Sequence, residues 1–311
     1  MTVQSFLKIY IKKYKKLVNM PYNKLNLENY EDVISKLFKI DINVKKDDLG
    51  KDSSIKLMSG NHTNAGLLQI GEIKKNRKNI IVVGKGVLFD SGGYNLKSDM
   101  TDMKTDMAGM ACAVSVVSML RDVLKSYNIC SVCPVTTNFI HNSKLIPGDV
   151  ITIGDKKVEV TDTDAEGRLI LAEALSSFKQ GKKDIIITVA TLTGAVGYAI
   201  GDEATGVFTE NDKLSELYLK SAELCEELAW RLPMWKNLEK KYYSNNKKVI
   251  KNYLAKKPGA TMATLFLKQF IKYPKNWLHL DIAESAYDED KERATGEPFN
   301  SLLDFIEKIK G

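Results

Sequence analysis

Residues Val160 to Leu171 read VTDTDAEGRLIL. Apolar, β-forming residues run here into an acidic turn, and the spacing of AEGRLILAEAL predicts a helix over Ala165 to Leu175. A strand handing over to a helix through a short polar turn is the joint from which parallel α/β sheets are built. This joint gathers Asp162, Asp164, Glu166 and Arg168 within a few residues. Carboxylates so close repel one another unless a cation sits among them, and a divalent metal is the usual one. An acidic first helical turn favoured by the macrodipole gives the same pattern, so this stretch alone leaves both readings open.

A second stretch, Asn79 to Ala113, reads NIIVVGKGVLFDSGGYNLKSDMTDMKTDMAGMACA. Ile80 to Val83 is a short continuous apolar run, as a buried parallel strand requires, and Gly84, Lys85 and Gly86 follow at once. Asp90, Lys97 and Asp106 fall in the Gly-, Ser- and Asp-rich connection beyond it. A lysine directly after a buried strand must find an anion or lose its proton, because an unpaired buried ammonium is very costly. A GKG or a lone Asp is weak taken singly, since surface turns contain both. Together with TDTDAEGRL they supply several oxygen ligands and an amine, enough for a two-metal site.

The rest of the chain continues the alternation. Met107 to Leu124 is predicted helical, Ile129 to Val135 a strand, Val158 to Val160 the lead into the acidic turn, Asp184 to Ala190 a buried strand ending in TLTGA, and Trp277 to Ile282 a later strand. The prediction is an α/β fold: a mostly parallel, twisted central sheet with helices on both faces and function at the carboxyl ends of its strands. Lys85, Asp164 and Thr191 each follow such a run, so three segments converge on one rim. GLLQIGEI and NIIVVG, separated by KKNRK, could pair as a hairpin, and Lys45 to Ser54 reads as a loop. Phe6 to Val18 reads as a basic amphipathic helix that docks its apolar side, with Phe6, Ile9, Tyr10 and Leu17 set apart from the lysines.

GKGVLFDSGG at Gly84 to Gly93, the LK at Leu96 and Lys97, DMAGMA at Asp106 to Ala111, TDAEGRL at Thr163 to Leu169 and ATLTGA at Ala190 to Ala195, in this order, resemble the leucyl aminopeptidase (cytosol aminopeptidase) family of dinuclear metallopeptidases. LVNMPYNKL, IPGDV, WRLPMW, HLDIAESAY and ATGEPF extend the likeness over nearly the whole chain from Leu17 onward. The resemblance implies a metal-dependent aminopeptidase that removes the N-terminal residue, leucine-like by preference, from peptides with a free N-terminus. It implies two divalent ions, zinc or manganese, with cobalt and magnesium also suited to hard carboxylate ligands and one amine. By similarity Asp90 and Glu166 would bridge the metals, Lys85 and Asp106 would complete one ion, and Asp164 the other. Lys97 would stabilise the oxyanion, Arg168 would hold a bicarbonate acting as general base, and Thr191, Leu192 and Gly194 would line the substrate cleft.

The family also leads one to expect a homohexamer, and an additional N-terminal domain that this chain, starting close to the linker helix, is expected to lack. Residues 1–30 then read as a linker-type helix and extension, and 31–311 as the catalytic domain. Four departures from the family pattern stand out. Asp162 replaces the usual Asn, the Lys97 to Asp106 link is slightly short, NFIHNSKLI lacks the usual Glu, Asn and Pro, and NYLAKKPGA lacks a glycine pair. A binding or nucleic-acid-associated scaffold that keeps the fold is the alternative. Lys97 and Arg168 speak against it, since a scaffold needs neither an oxyanion lysine nor an anion-holding arginine.

With 44% hydrophobic residues among 311, the chain can bury a large core. A net charge of +7 does not identify nucleic acid as a partner. No apolar run approaches the roughly 18 residues of a spanning helix, and lysines interrupt the N-terminus too often for a signal peptide, so no membrane is expected and the location expected is cytoplasmic. Cys112, Cys130, Cys133 and Cys225 are few and fit a reducing compartment. Cys130 and Cys133 form a CxxC inside NICSVCPV and read as core. His62, His141 and His279 stand apart from the carboxylates and no HExxH occurs, so a His-ligated zinc protease is not expected.

Overall fold

The computed structural model describes residues 3–47, 49–123, 128–242, 248–255 and 257–309. The chain begins with α1 (Val3–Val18), α2 (Tyr30–Phe38), β1 (Asn43–Lys45), α3 (Ser54–Met58), β2 (Gly66–Ile70), β3 (Ile80–Gly84) and β4 (Gly86–Asp90). Next come α4 (Ala108–Val123), β5 (Ile129–Asn138), β6 (Val150–Ile153), β7 (Lys156–Glu159), α5 (Glu166–Ser176), β8 (Ile185–Ala190), α6 (Ala195–Ile200) and β9 (Thr205–Phe208). After these come α7 (Asp212–Leu224), β10 (Ala229–Arg231), α8 (Lys236–Glu239), β11 (Val249–Lys251), α9 (Gly259–Lys268), β12 (Trp277–Asp281) and α10 (Phe299–Ile309).

Among the described residues nine strands form the central sheet, in the order β1-β2-β5-β3-β8-β12-β9-β10, with β4 also paired to β5. The β5/β3, β5/β4, β3/β8 and β8/β12 pairs are parallel, whereas β2 runs antiparallel to β5 and β9 antiparallel to β12. Every residue of β3 and β5 is buried, which is why β3 reads as an unbroken apolar run and β5 as a mostly apolar one up to Val135 rather than as alternations. α4 packs on β3, β5 and β8 with α1 and α10 against it, while α5 with α3 and α9 covers β5 and β3 separately. The mostly parallel sheet wrapped by helices agrees with the sequence reading.

The suggested hairpin does not form: β5 lies between β2 and β3 and pairs with both. A strand buried on both faces needs a ladder on each side, and β5 and β8 supply them for β3, leaving β2 nearer the edge beside β1. The acidic turn also enters differently. β7 belongs to a separate sheet in the order β11-β7-β6, so Asp164 reaches the rim from outside the central sheet. The tight β6–β7 hairpin turns at Gly154, φ +59, and ties β7 to its neighbour rather than to β5.

On α1 the buried stripe is Tyr10, Tyr14, Leu17 and Val18, the helical spacing that faces α4, while Ile9 stays 40% exposed. Residues 103–122 are long and apolar enough by composition to cross a membrane, but 89% of that window is buried, as expected of a core helix. The predicted end of α4 at Leu124 lies outside the described residues. Cys130 and Cys133 are buried in β5.

His279, on β12, is fully buried between the Trp277 and Phe208 rings. Trp277 Nε1 donates to Thr188 Oγ1 at 3.0 Å, and the same hydroxyl oxygen lies 2.8 Å from His279 Nδ1. His279 Nε2 is buried without a partner. Burial pulls the ring down to about 3, so the fold binds it neutral. The unfolded chain takes the proton near the ordinary value of about 6.5, so the contribution is whole above that pH and is lost as pH falls toward 3. Denaturant unfolding between pH 6 and 4 should lose up to about 1.4 kcal/mol per pH unit through this group. His279→Phe should remove that part of the slope, and an unchanged slope would contradict the assignment.

Candidate metal centre

Lys85 leaves the end of β3 and turns under α5, where its stem lies on Gly167. A Cβ at that glycine would come within 2.6 Å of Lys85 Cε, so no larger residue fits without displacing the lysine. Gly109, at the start of α4, is forced for a like reason: a Cβ there would lie 2.2 Å from the Val189 carbonyl. Lys85 Nζ reaches Asp106 Oδ1 at 2.6 Å and Glu166 Oε1 at 2.8 Å, and donates to the Thr191 carbonyl at 2.7 Å. The Thr191 hydroxyl donates to the same Asp106 oxygen at 2.9 Å. One buried knot thereby joins β3, the loop before α4, α5 and the end of β8.

Lys97 Nζ forms a second knot, 2.9 Å from Asp90 Oδ2 and 2.5 Å from Asp164 Oδ1. Asp90 is aimed by the other oxygen, which accepts from Asn138 Nδ2 and Gly92 N, both at 2.8 Å. Asp164 is aimed through the backbone on either side. Thr163 N donates to Asn95 Oδ1 and Asn95 N to Thr163 Oγ1, and Asp164 N donates to Asp162 Oδ1 at 2.9 Å. Asp162, the departure from the family pattern, thus spends one oxygen on its own turn. Asn252, just after β11, clamps the loop: its Oδ1 accepts from Thr161 N, and its Nδ2 donates to the Asp162 and Ala165 carbonyls. Its own carbonyl accepts from Arg168 Nη1 at 3.0 Å.

Ligand oxygens of Asp90, Asp164 and Glu166 lie within 4.8 Å of one another. Four carboxylates against two ammonium groups leave the ensemble short of positive charge. Burial pushes Asp106 well up, and Glu166 and Asp90 add to it despite Lys85. Burial, Glu166 and Asp90 likewise lift Asp164 to about 7. Burial also acts against the charge of Glu166, but Lys85 and Lys97 hold its carboxyl below the ordinary range. Burial works against the ammonium of Lys85 too, and the facing Asp106, Glu166 and Asp90 outweigh it. Asp106 Oδ2 and Glu166 Oε2 are buried without a hydrogen-bond partner, and so is Arg168 Nε. Orphaned carboxylate oxygens in a charge-deficient cluster are what a bound dication would satisfy, so these residues fit a divalent metal.

The centre opens into a cleft of about 1090 Å³ lined by all ten residues singled out in the sequence: Lys85, Asp90, Lys97, Asp106, Asp164, Glu166, Arg168, Thr191, Leu192 and Gly194. Met103 lines it as well, whereas Met107 is core. A model of the cytosol aminopeptidase family, catalytic domain, matches residues 13–303. The chain belongs to the cytosol aminopeptidase family.

Among curated relatives of this family, a probable cytosol aminopeptidase of Buchnera aphidicola subsp. Baizongia pistaciae is 34% identical over 93% of this chain and 61% of its own length. A leucine aminopeptidase A1, chloroplastic, of Solanum lycopersicum is 37% identical over 75% of this chain and 42% of its own. The chain spans about half to three fifths of the length of the first curated relatives it matches. Among solved structures, the bottromycin maturation enzyme BotP superposes with TM-score 0.84 at 27% identity, covering 97% of this chain and 69% of that one. A BotP structure in complex with Mn gives 0.82.

Asn95, Asn138, Asn252 and Asp281 are site residues that the sequence did not single out for a role. Asp281 ends β12, fully buried, and accepts from Leu192 N at 3.1 Å, Thr193 N at 3.3 Å and Thr193 Oγ1 at 2.7 Å, fixing the loop after β8. It lies within HLDIAESAY, and Asn252 opens NYLAKKPGA, marked in the sequence only by the absence of a glycine pair.

Proposed function

We propose that the chain is the catalytic part of a metal-dependent aminopeptidase that hydrolyses the N-terminal residue from peptides. The observation that carries this reading is the pair of cation positions in one buried rim beside a substrate-sized cleft: one between Asp106 and Glu166, where Lys85 sits, and one between Asp90 and Asp164, where Lys97 sits. Asp90 and Glu166 would be shared by two divalent ions, with Lys85 and Asp106 holding one and Asp164 the other. Bound there, such ions would supply a water of lowered pKa and a Lewis acid for the scissile carbonyl. Manganese, present in a BotP structure, and zinc are the ions proposed first, and cobalt or magnesium suit the same carboxylates.

The chain's own residues do the remaining work. As a ligand, Lys85 must be neutral, so its proton has to leave when the carboxylates turn to a metal. Lys97, partly exposed at the cleft, is placed to donate to the carbonyl oxygen as negative charge grows on it. Arg168, with Nε buried and unpartnered, would hold a bicarbonate or similar anion in its planar fork. Thr191, Leu192 and Gly194 form the wall against which the substrate lies. The Thr191 carbonyl and Leu192 amide are already engaged, by Lys85 and Asp281. Leucine, named for the tomato relatives, is proposed as a substrate. A homohexamer in the cytoplasm belongs to the same proposal.

The test is hydrolysis of leucine p-nitroanilide by protein stripped of metal and then given manganese or zinc. Turnover that returns with metal and is absent for the N-acetylated substrate is expected. Folded, metal-loaded protein that cleaves the blocked substrate equally well would sink the reading.

A further inference from the structure

The chain carries a net charge of +7, yet beyond the carboxylates of the metal centre its cleft is lined by further acids. Asp102, Asp202, Glu203, Glu226, Glu284 and Glu289 line it. Outside the metal centre and Arg168, the basic residues lining it are Lys257 and Lys291, and Lys291 is paired with Asp288 at 2.6 Å. Low-dielectric walls of one sign focus their field into a cleft, so this one attracts cations.

One of these acids is built into the substrate wall. Glu284 follows Asp281 by three residues, and Asp281 is the carboxylate that fixes the loop from Leu192 to Thr193. The Glu284 side chain lies across the start of α6. A Cβ on Gly197 would fall 2.8 Å from its Cγ and 2.9 Å from its Cδ, and one on Gly194 would fall 3.7 Å from Oε1. Glycine at 197 leaves the space to the carboxylate, and a Cβ at 194 would only touch it in ordinary contact. The other end of the same loop is Thr191, whose hydroxyl touches Asp106. Glu284 is half-buried, and among the described residues it has no hydrogen bond or ion pair. Burial, with Glu289, Asp281 and Asp202 facing it, raises its carboxyl above the ordinary value, so every group that perturbs it makes its charge costlier.

We propose that Glu284 makes the cleft selective for peptides whose N-terminal residue has a cationic side chain, lysine or arginine, over leucine. This rests on the aminopeptidase reading of the same site. An apolar side chain laid against Glu284 would strip water from a carboxylate and return nothing for it. An ammonium or guanidinium returns a charge-assisted hydrogen bond and relieves the repulsion among the acids.

The test compares kcat/KM for the aminomethylcoumarin amides of lysine, arginine, norleucine, leucine and glutamate, using manganese-loaded wild type and Glu284→Gln. Norleucine matches the length of the lysine stem without its charge. The lysine-to-norleucine ratio in the wild type should be on the order of tenfold or more, the worth of one hydrogen bond to a charged group. It should shrink in high salt and fall toward unity in Glu284→Gln. Each ratio is internal to one preparation, so losses of folding or metal cancel. Norleucine or leucine amides cleaved as well as lysine, or a lysine preference that survives Glu284→Gln, would overturn the inference and leave the aminopeptidase reading standing. No cleavage of any amide by folded, metal-loaded protein would remove both.

Discussion

Glu166→Ala should lower kcat/KM for leucine p-nitroanilide by about three orders of magnitude or more, the scale of losing a principal electrostatic element of a hydrolytic site. Glu166 is the carboxylate that both knots share electrostatically: Lys85 touches it at 2.8 Å, and Lys97 also helps to keep it ionised. Its second oxygen is buried without a partner, aimed into the cluster. The fold should survive the substitution. Lys85 keeps Asp106 and the Thr191 carbonyl, and Leu169 to Leu171 and Ala174 still bury the inner face of α5. Glu166→Gln separates the causes, because an amide oxygen still accepts from Lys85 but brings no charge. Both variants inactive, with unchanged circular dichroism and melting within a few degrees of wild type, is the expected result. Activity retained in Glu166→Gln would mean that Glu166 positions Lys85 and does not hold metal.

Sequence and structure part company at definite places. β3, β5, β8 and β12 were legible because strands covered on both faces leave largely apolar runs, and the rim followed from what lies just beyond them. Which strands neighbour one another was not legible. The KKNRK link suits a hairpin locally, and only the burial of β3 between β5 and β8 rules one out. The sheet to which β7 belongs was hidden for the same reason: Val158 and Val160 flanking Glu159 suit a strand in whichever sheet it joins.

The candidate ligands were legible as types, since carboxylates and lysines in glycine-rich turns are conspicuous. The residues that aim them were not. Asn138 reaches Asp90 from 48 residues away in sequence and Asn252 reaches the acidic turn from about 90, and an asparagine at such a distance looks like any other. Glu284 is in view within HLDIAESAY, but its meaning depends on Gly197 coming to lie against it. On α1 the apolar stripe was misjudged by part of a turn, with Ile9 outside and Tyr14 inside. A segment carrying apolar residues on several sides does not announce which of them a neighbour will cover.

Asp106→Asn should act in opposite directions on stability and on metal binding. In metal-free protein the Asp106 carboxylate is a liability. It is buried, it faces Glu166 and Asp90, and Lys85 does not fully offset either cost, so its carboxyl stands well above the ordinary range. Asparagine keeps the shape, and its oxygen can still accept from Lys85 and from the Thr191 hydroxyl. Removing one poorly compensated charge should therefore stabilise the metal-free fold by about 1 kcal/mol, roughly 2–4 °C in melting temperature for a chain of this size. The same change takes away an anionic ligand. Affinity should fall by more than the roughly 10- to 100-fold typical of losing a ligand's supporting hydrogen bond. Since a ligand that binds the folded state stabilises it in proportion to the logarithm of its occupancy ratio, the variant should gain less from added manganese than wild type does. Calorimetric melting in chelator and in manganese reads both effects from one sample. A variant that melts lower than wild type in chelator would mean that the Lys85–Asp106 pair is net stabilising, and that the centre is a structural ion-pair network. A higher melting point in chelator with a reduced response to metal would mean that the carboxylates are kept at the expense of stability, for a cation.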